Sequence, residues 1–233
     1  MLFDIIYLSI IGCEIILAAI LLFKLYKSLA KLPESWKKVS PLNNFILGVC
    51  FLLIYLIVAF LSESVSLHLA RHGIYNSFVF SIYFTLSTPF LFGFLFINTQ
   101  TAWKKYAYFI LYSILVGHLI YGGYYHPRCI LPSSSCLLIF SVFFMAFLLQ
   151  LTDLLITPKA DYFRFQLKIN LIFLIYFLIS TIVTSFYWRD IKITMANAAL
   201  HELFYQIHVF NIFLFYTVLA FIFITEILKL RRG

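Results

Sequence analysis

Charged residues and water-soluble stretches are scarce in this sequence. Only 11% of its 233 residues are charged, against about 25% in a typical soluble protein, whereas 64% are hydrophobic. Seven apolar runs of about 20 residues, the length at which a helix crosses a bilayer, occupy most of the chain. The composition leaves no room for a separate soluble domain. It predicts one domain, residues 1–233, that is all-α and forms a polytopic transmembrane bundle of seven helices in the lipid bilayer.

Recognisable catalytic motifs are missing as well. The chain has no Gly-rich phosphate loop, no nucleophile elbow and no paired-cysteine zinc spacing. No lysine lies in the middle of the seventh apolar run, which argues against a retinal Schiff base there. These absences favour a protein that is not an enzyme and that has no cofactor.

Basic residues exceed acidic ones, which gives a net charge of +8. They sit in small groups at the ends of the apolar runs, as the positive-inside rule describes, so no nucleic-acid partner is expected. When the 17 Lys and Arg residues are assigned to alternate loops, 13 fall on one side and four on the other. This count predicts a multi-pass protein of the inner (cytoplasmic) membrane with its amino terminus outside and its carboxyl terminus in the cytoplasm.

The apolar runs predict where the helices lie. The expected spans are Leu2–Leu25, Asn43–Ala70, Tyr75–Asn98, Trp103–Tyr124, Leu137–Ile156, Leu167–Trp188 and His201–Leu230. Pro89 lies inside the third span directly after Ser87 and Thr88. The backbone hydrogen bond that proline cannot make predicts a kink there, unless the neighbouring hydroxyls compensate.

Polar side chains gather in the half of the bundle that this orientation places outside. Ionisable groups inside a membrane are costly, by about 2.5–3.5 kcal/mol each at a helix centre, and usually face a protein interior or a wet cavity. We therefore expect an outward-facing polar pocket with Glu14 at its floor. The expected lining is Glu14, Glu63, Ser64, His68, Asn76, His118, His201, Glu202, Tyr205, His208 and Asn211. In the alternative interpretation these groups only hydrogen-bond one helix to another, each contributing about 0.6 kcal/mol.

Two histidines of the seventh span share one face of the helix. His201, Tyr205 and His208 form a stripe, because residues seven apart return to nearly the same direction, and this stripe is expected to face inward. The histidines are about 10.5 Å apart along the axis, whereas two histidines that share a zinc on one helix are normally one turn apart. Buried histidines without a metal are therefore expected. A zinc site formed by His68, His201 and His208 is the alternative.

Two cysteines share the loop before the fifth span. Cys129 and Cys136 lie on the side that the charge count places outside, where a disulfide is chemically permitted. Sequence alone does not supply the geometry of such a bond, so both the bridged and the free state remain open.

Three short motifs carry a resemblance that extends over nearly the whole chain. They are Leu61-Ser62-Glu63, Gly73-Ile74-Tyr75-Asn76 leading into Tyr83, and Ile207-His208-Val209-Phe210-Asn211. With them the chain resembles a loosely defined group of seven-helix bacterial inner-membrane proteins, members of which resemble the sensor regions found ahead of histidine kinases. The resemblance implies the seven-span topology and a sensory role.

A second resemblance concerns the second span. Ser64 and His68, four residues apart, resemble the serine and histidine of the seven-helix metal hydrolases that include the alkaline ceramidases and adiponectin-type receptors. Glu14 stands where some members have an acidic residue. The chain departs from this pattern because its third span has no aspartate and its seventh has no two histidines four apart. The resemblance carries over only His68 as a zinc ligand, and one ligand does not hold zinc.

These observations lead to one principal functional hypothesis and two alternatives. The principal one is a non-enzymatic sensory or partner-binding subunit that takes a small or amphiphilic ligand in the pocket and contacts a membrane or cytoplasmic protein through its basic cytoplasmic rim. The first alternative is an intramembrane metal-dependent hydrolase of a lipid-like substrate, using His68, His201, His208 and Glu14 or Glu63. The second is a small-solute carrier or channel, which the odd number of spans and the lack of an internal repeat disfavour.

Overall fold

The computed structural model describes residues 2–31, 41–74, 77–99, 101–125, 133–156, 163–189 and 198–232. Within these ranges the chain is helical and contains no strand, which confirms the all-α class. The helices are α1 (Leu2–Ala30), α2 (Pro41–Arg71), α3 (Ser77–Asn98), α4 (Ala102–Tyr125), α5 (Ser133–Ile156), α6 (Phe163–Arg189) and α7 (Ala198–Arg232). Each apolar run therefore forms one helix, with bounds that differ by a few residues from those predicted.

Six of these helices are long and apolar enough to cross a membrane, which makes the protein a multi-pass membrane protein by architecture. The fourth predicted span, α4, is 24 residues long, which is enough to reach across a bilayer, and it packs against α3 and α5.

The helices form a closed ring in chain order. Each helix packs against the next in an antiparallel direction, and α1 packs against α7 in a parallel one. The α1–α7 contact is marked at one end by the rings of Tyr7 and Tyr216, 5.8 Å apart, and at the other by Lys24, which donates to the Ile227 carbonyl. We call the end of the bundle where α1 and α7 begin the N-terminal end, and the opposite end the C-terminal end.

Aromatic side chains fill the centre of the ring. Phe173 of α6 stacks on Phe147 of α5, with centroids 4.8 Å apart, and meets Phe215 of α7 edge-on at 4.9 Å. It also meets Tyr55 of α2 at 5.7 Å, so one aromatic layer joins four helices. Such pairs add about 0.5–1.5 kcal/mol beyond the area they bury.

Glycines allow α2 and α3 to approach closely. A Cβ added at Gly93 of α3 would lie 2.9 Å from the ring of Phe51, and one added at Gly48 of α2 would lie 3.1 Å from the Asn98 amide. Small residues at helix contacts are the usual means of close packing in membranes, where burial against lipid supplies no net driving force. The α2–α3 pair therefore depends on shape.

Pro89 does not interrupt α3. The helix runs through it to Asn98, and the two hydroxyls that precede the proline donate to the Phe84 carbonyl, Thr88 at 2.5 Å and Ser87 at 3.5 Å. These bonds reach the carbonyl one residue before Thr85, which is the carbonyl that Pro89 leaves without its usual backbone donor, so compensation of the lost bond stays a prediction.

Candidate functional site

Polar groups from five helices meet inside the N-terminal half of the ring. They are Tyr7 and Glu14 of α1, Tyr55 and Glu63 of α2, Tyr83 of α3, Tyr176 of α6 and Tyr216 of α7. We call this set the tyrosine–glutamate cluster. Each of its tyrosines has a hydroxyl close enough to another member to interact with it electrostatically.

Hydroxyl contacts connect the cluster across helix boundaries. The Tyr83 hydroxyl donates to the Tyr55 hydroxyl over 3.0 Å, and Tyr55 is also within hydrogen-bonding reach of Tyr216. The Tyr7 hydroxyl is within hydrogen-bonding reach of the Glu63 carboxyl. Glu63 is half-buried, so one carboxyl of the cluster retains access to its surroundings near the N-terminal end.

Glu14 is the most deeply placed member. It lies on the interior stripe of α1 formed by Tyr7, Ile11, Glu14, Ala18, Leu21 and Leu25, all of them buried. Its side chain is 0% exposed, and neither carboxyl oxygen has a hydrogen-bond partner among the described residues. Protonation would remove the charge but would still leave a buried O–H donor and its acceptors without partners, at a cost of about 1–3 kcal/mol.

Asn170 of α6 is in the same condition. It is 0% exposed, and both its amide oxygen and its amide nitrogen lack a partner among the described residues. Asn170 lies one turn from Phe173, whose ring packs on Tyr55, and Glu14 interacts electrostatically with that same tyrosine.

Two of the predicted pocket residues hydrogen-bond to a neighbouring helix. Asn211 of α7 is buried and donates to the Tyr176 carbonyl at 3.1 Å and to the Ser180 hydroxyl at 3.2 Å. His118 of α4 is half-buried, with Nε2 2.7 Å from the Ser135 hydroxyl of α5. These two contacts fit the alternative interpretation, in which the polar groups join one helix to another.

Other predicted residues are bonded within their own helix or face outward. Ser64 donates to the Phe60 carbonyl at 2.7 Å, and Glu202 accepts from Gln206 while remaining exposed. His68 is exposed, its carbonyl oxygen 2.9 Å from Nδ1 of His72. The structure does not bring these side chains into the tyrosine–glutamate cluster.

The outer turns of α7 correct one expectation. The expectation that Tyr205 faces inward with His201 and His208 is wrong, because Tyr205 is 59% exposed. His208 is half-buried. Tyr7 is level with Tyr216, and α1 begins five residues earlier, at Leu2. The first turns of α7 therefore extend past the start of α1, where no part of α1 covers them. Asn76 and the side chain of His201 lie outside the described part of the structure.

The described residues test the metal and disulfide predictions only in part. Among the side chains that the structure describes, no three of His, Cys, Asp or Glu come together as a metal site. The zinc alternative also needs His201, so it stays a prediction. Cys136 is half-buried at the start of α5, and Cys129 lies outside the described ranges, so their pairing stays a prediction too.

Two grooves on the bundle are lined by apolar residues and do not coincide with the predicted pocket. One, of about 630 Å³, runs along the outer face of α1 between Ile15 and Lys27. The other, of about 260 Å³, lies beside Pro89 between α2, α3 and α4. No residue of the predicted pocket lines either groove.

A second polar network occupies the C-terminal end, where the sequence suggested fewer polar groups. Lys104 of α4 and Asp153 of α5 form an ion pair at 3.3 Å with both side chains almost fully buried. The amide oxygen of Gln150 accepts from Thr99 at 2.5 Å and from Tyr108 at 3.1 Å. Hydrogen bonds thus satisfy the buried groups here, in contrast to Glu14.

The tyrosines of the cluster were missed by the sequence analysis, although a signal was present. Tyr7 lies seven residues before Glu14, and Tyr55 lies eight residues before Glu63, so each tyrosine falls on the same helix face as a glutamate. The chain has sixteen tyrosines, so these two pairs do not stand out in the sequence.

Comparison with known proteins adds no relative. No protein-family model, no curated protein and no solved structure matches the chain.

Proposed function

We propose that this protein is a non-enzymatic membrane subunit that binds a small or amphiphilic ligand at the N-terminal half of the ring and passes the binding event to a protein partner. The observation that carries the proposal is the tyrosine–glutamate cluster, which places two carboxyls and five tyrosines from five helices in one interior region. A ligand that contacts several helices at once can change their packing, and this is what a sensory subunit requires.

The chemistry of the cluster favours a ligand with a cationic group. Neither Glu14 nor Glu63 is paired with a basic side chain of the described residues, so the cluster offers two carboxyl groups that a cation can pair with, together with hydroxyl acceptors. Tyrosine rings attract cations through their faces, and quaternary ammonium groups are recognised by cages of such aromatic rings. The half-buried Glu63, nearest the N-terminal end, is the carboxyl that an entering ligand would reach first.

The opposite end of the bundle suits a protein partner. Exposed basic residues surround the C-terminal end, namely Lys27, Lys31, Arg164, Lys168 and Lys229. If the charge-based orientation holds, this basic rim faces the cytoplasm, where an acidic surface of a partner or anionic lipid headgroups would meet it. The ring of helices then connects the ligand region to the partner region.

The test measures the thermal stability of the purified protein in nanodiscs of neutral lipid. Phenyltrimethylammonium is compared with tert-butylbenzene, which has the same shape without the charge. The cation should raise the melting temperature in a saturable way, and the neutral compound should not, because only the cation gains from a carboxylate and tyrosine faces. Equal effects of the two compounds would exclude the proposed recognition.

Two matched variants show where in the bundle phenyltrimethylammonium binds. Glu63→Gln should weaken the response to phenyltrimethylammonium at least about tenfold, a loss of about 1.4 kcal/mol. Glu202→Gln removes an exposed carboxyl at the same end of the bundle, bonded only within its own helix to Gln206, and should leave the response unchanged. A response that survives in Glu63→Gln would mean that the cation binds elsewhere.

A further inference from the structure

The groove on the outer face of α1 ends at two lysines. It is lined by apolar side chains between Ile15 and Phe23 and, toward the C-terminal end of the bundle, by Lys24 and Lys27. Ala19 is exposed in the middle of this lining, and its small side chain leaves space between larger neighbours. One groove therefore joins an apolar surface to two positive charges.

Neither lysine of the groove is paired with a carboxylate among the described residues. Lys24 Nζ donates to the Ile227 carbonyl of α7 at 3.3 Å, and Lys27 Nζ lies 4.6 Å from the centroid of the Phe23 ring. The ion pairs that the structure describes involve other lysines. Residues three apart are neighbours on a helix surface, and like charges at neighbouring positions destabilise a helix. An anion that contacts both lysines would remove this repulsion.

We propose that the groove binds one anionic phospholipid, with the phosphate between Lys24 and Lys27 and an acyl chain along residues 15–23. Ile15 lies nine residues before Lys24, which is about 13.5 Å along the helix axis. One leaflet contributes about 15 Å to the hydrocarbon core of a bilayer. The apolar part of the groove thus has the length of one leaflet, and its charges lie at one end, as the headgroup of a phospholipid does.

The lysine end of the groove favours a headgroup with a net negative charge. A zwitterionic headgroup carries its own ammonium group, which competes with the lysines for the phosphate, whereas anionic lipids attract basic residues at the membrane surface. Tyr26, between the two lysines in the chain, is 64% exposed. Tyrosine is enriched where the bilayer meets water, so this turn of α1 has the composition of the headgroup level.

The lipid site is separate from the ligand region proposed above. Glu14 lies on the buried stripe of α1, whereas Ile16 and Ile20 of the groove are 60% and 41% exposed on the other side of the helix. Lys27 also belongs to the basic rim, so an acidic protein surface is the competing occupant. A lipid accounts for the apolar length of the groove as well as for its charge, and an acidic surface accounts only for the charge.

Native mass spectrometry of the full chain in a neutral detergent counts the phospholipids that remain bound. The purified protein is titrated with phosphatidylglycerol and, separately, with phosphatidylcholine that has the same acyl chains. Phosphatidylglycerol should occupy one site per chain with an affinity at least about tenfold higher than that of phosphatidylcholine. Glycerol phosphate, which has the charged headgroup without the chains, should not displace it.

A pair of double variants tests the lysine end. Lys24→Gln with Lys27→Gln should abolish the preference for phosphatidylglycerol, because both positive charges of the groove are lost. Arg164→Gln with Lys168→Gln is the matched control, since it removes two exposed positive charges from the same end of the bundle and neither residue lines the groove. The control should keep the preference.

A second pair of variants tests the apolar part of the groove. Ala19→Phe fills the space between the larger neighbours and should lower the affinity for phosphatidylglycerol about fivefold or more, because the acyl chain loses its contacts. Gly117→Phe adds the same side chain to the exposed side of α4, where nothing lies within 4 Å of a Cβ, and should leave the affinity unchanged.

Three results would overturn the lipid site: equal affinities for the two phospholipids, a preference that survives in the lysine double variant, or a loss in the control pair as large as in that variant. The last would show general attraction to the basic rim, and the first would leave the lysines to an acidic protein surface. Displacement by glycerol phosphate, or an unchanged affinity in Ala19→Phe, would equally exclude the groove. If the lysine double variant does not fold, Ala19→Phe still decides. Glu63→Gln should keep the preference, so loss of the phenyltrimethylammonium response alone removes only the proposed function.

Discussion

Buried polar residues of this bundle fall into two groups at the level of single side chains. At the C-terminal end the Lys104–Asp153 pair, Gln150 and their hydroxyl neighbours are satisfied by one another. In the centre, Glu14 and Asn170 are not satisfied by the described chain. A network whose hydrogen bonds are all made is accounted for by its role in the fold. A buried polar group without partners needs a partner that the described chain does not supply.

Removal of one partner of the buried Lys104–Asp153 ion pair should lower the free energy of unfolding far more than removal of both. Lys104→Met leaves the Asp153 carboxyl in a nearly dry site without its basic partner and should cost about 3–5 kcal/mol. The double variant Lys104→Met and Asp153→Leu should recover much of this loss. Unfolding of the reconstituted variants by a denaturing detergent measures both. A double variant less stable than Lys104→Met alone would show that Asp153 stabilises the fold through contacts other than Lys104, and would contradict this argument.

The sequence predicts the placement of some single residues and not of others, for a physical reason. Glu14 was identified correctly as a deep carboxyl, because a charge inside an apolar run is conspicuous. Tyr205 was assigned inward from periodicity alone, yet its exposure depends on where the neighbouring helix begins, which no single helix can report. Which tyrosines meet a glutamate likewise depends on packing between helices.

At the scale of helices, both faces are equally apolar. Phe147 is fully buried and Phe221 is 63% exposed, although the two residues look alike in the sequence. Lipid is as apolar as the interior of the bundle, so the same kinds of residue occur on both faces of a helix. Hydrophobic periodicity therefore does not distinguish the outer face from the inner one. Helix positions could therefore be predicted from the sequence, whereas the inward faces and the partners of each helix could not.

Close packing of α2 on α3 should make Gly93 intolerant of even one added carbon. In Gly93→Ala the new Cβ meets the Phe51 ring at 2.9 Å, so we expect a loss of about 1–3 kcal/mol from overpacking. Gly117→Ala is the control, because nothing lies within 4 Å of a Cβ there and alanine favours the helix by about 0.5–1 kcal/mol. The two melting temperatures should move in opposite directions. A loss in Gly117→Ala as large as in Gly93→Ala would contradict the packing argument.

For the whole molecule, α6 is the helix that lies beside both polar regions. The tyrosine–glutamate cluster lies on α1, α2, α3, α6 and α7, whereas the helical residues of the C-terminal network lie on α4 and α5. Tyr176 of α6 belongs to the cluster, and Gln166 of α6 donates at 2.8 Å to Asn98, the neighbour of Thr99. A rotation or shift of α6 would therefore disturb contacts at both ends of the bundle.

Orientation in the membrane is the prediction that belongs to this scale. With 13 basic residues on one side and four on the other, a fluorescent protein fused after Gly233 should fold in the cytoplasm and fluoresce. An alkaline phosphatase fused at the same place should be inactive, because it matures only outside the cytoplasm. Active phosphatase with a dark fluorescent fusion would reverse the assignment, and with it the side from which a ligand reaches Glu63.

Closure of the ring by α1 and α7 has a consequence for biogenesis. α1 is synthesised before α7, so the side of α1 that meets Tyr216 stays uncovered until α7 has been made. Until α7 inserts, Tyr7 has no permanent neighbour on that side, and the carboxyl of Glu14 is near an incomplete wall. A nascent chain that stops before α7 would thus present polar groups to lipid, where they are costly.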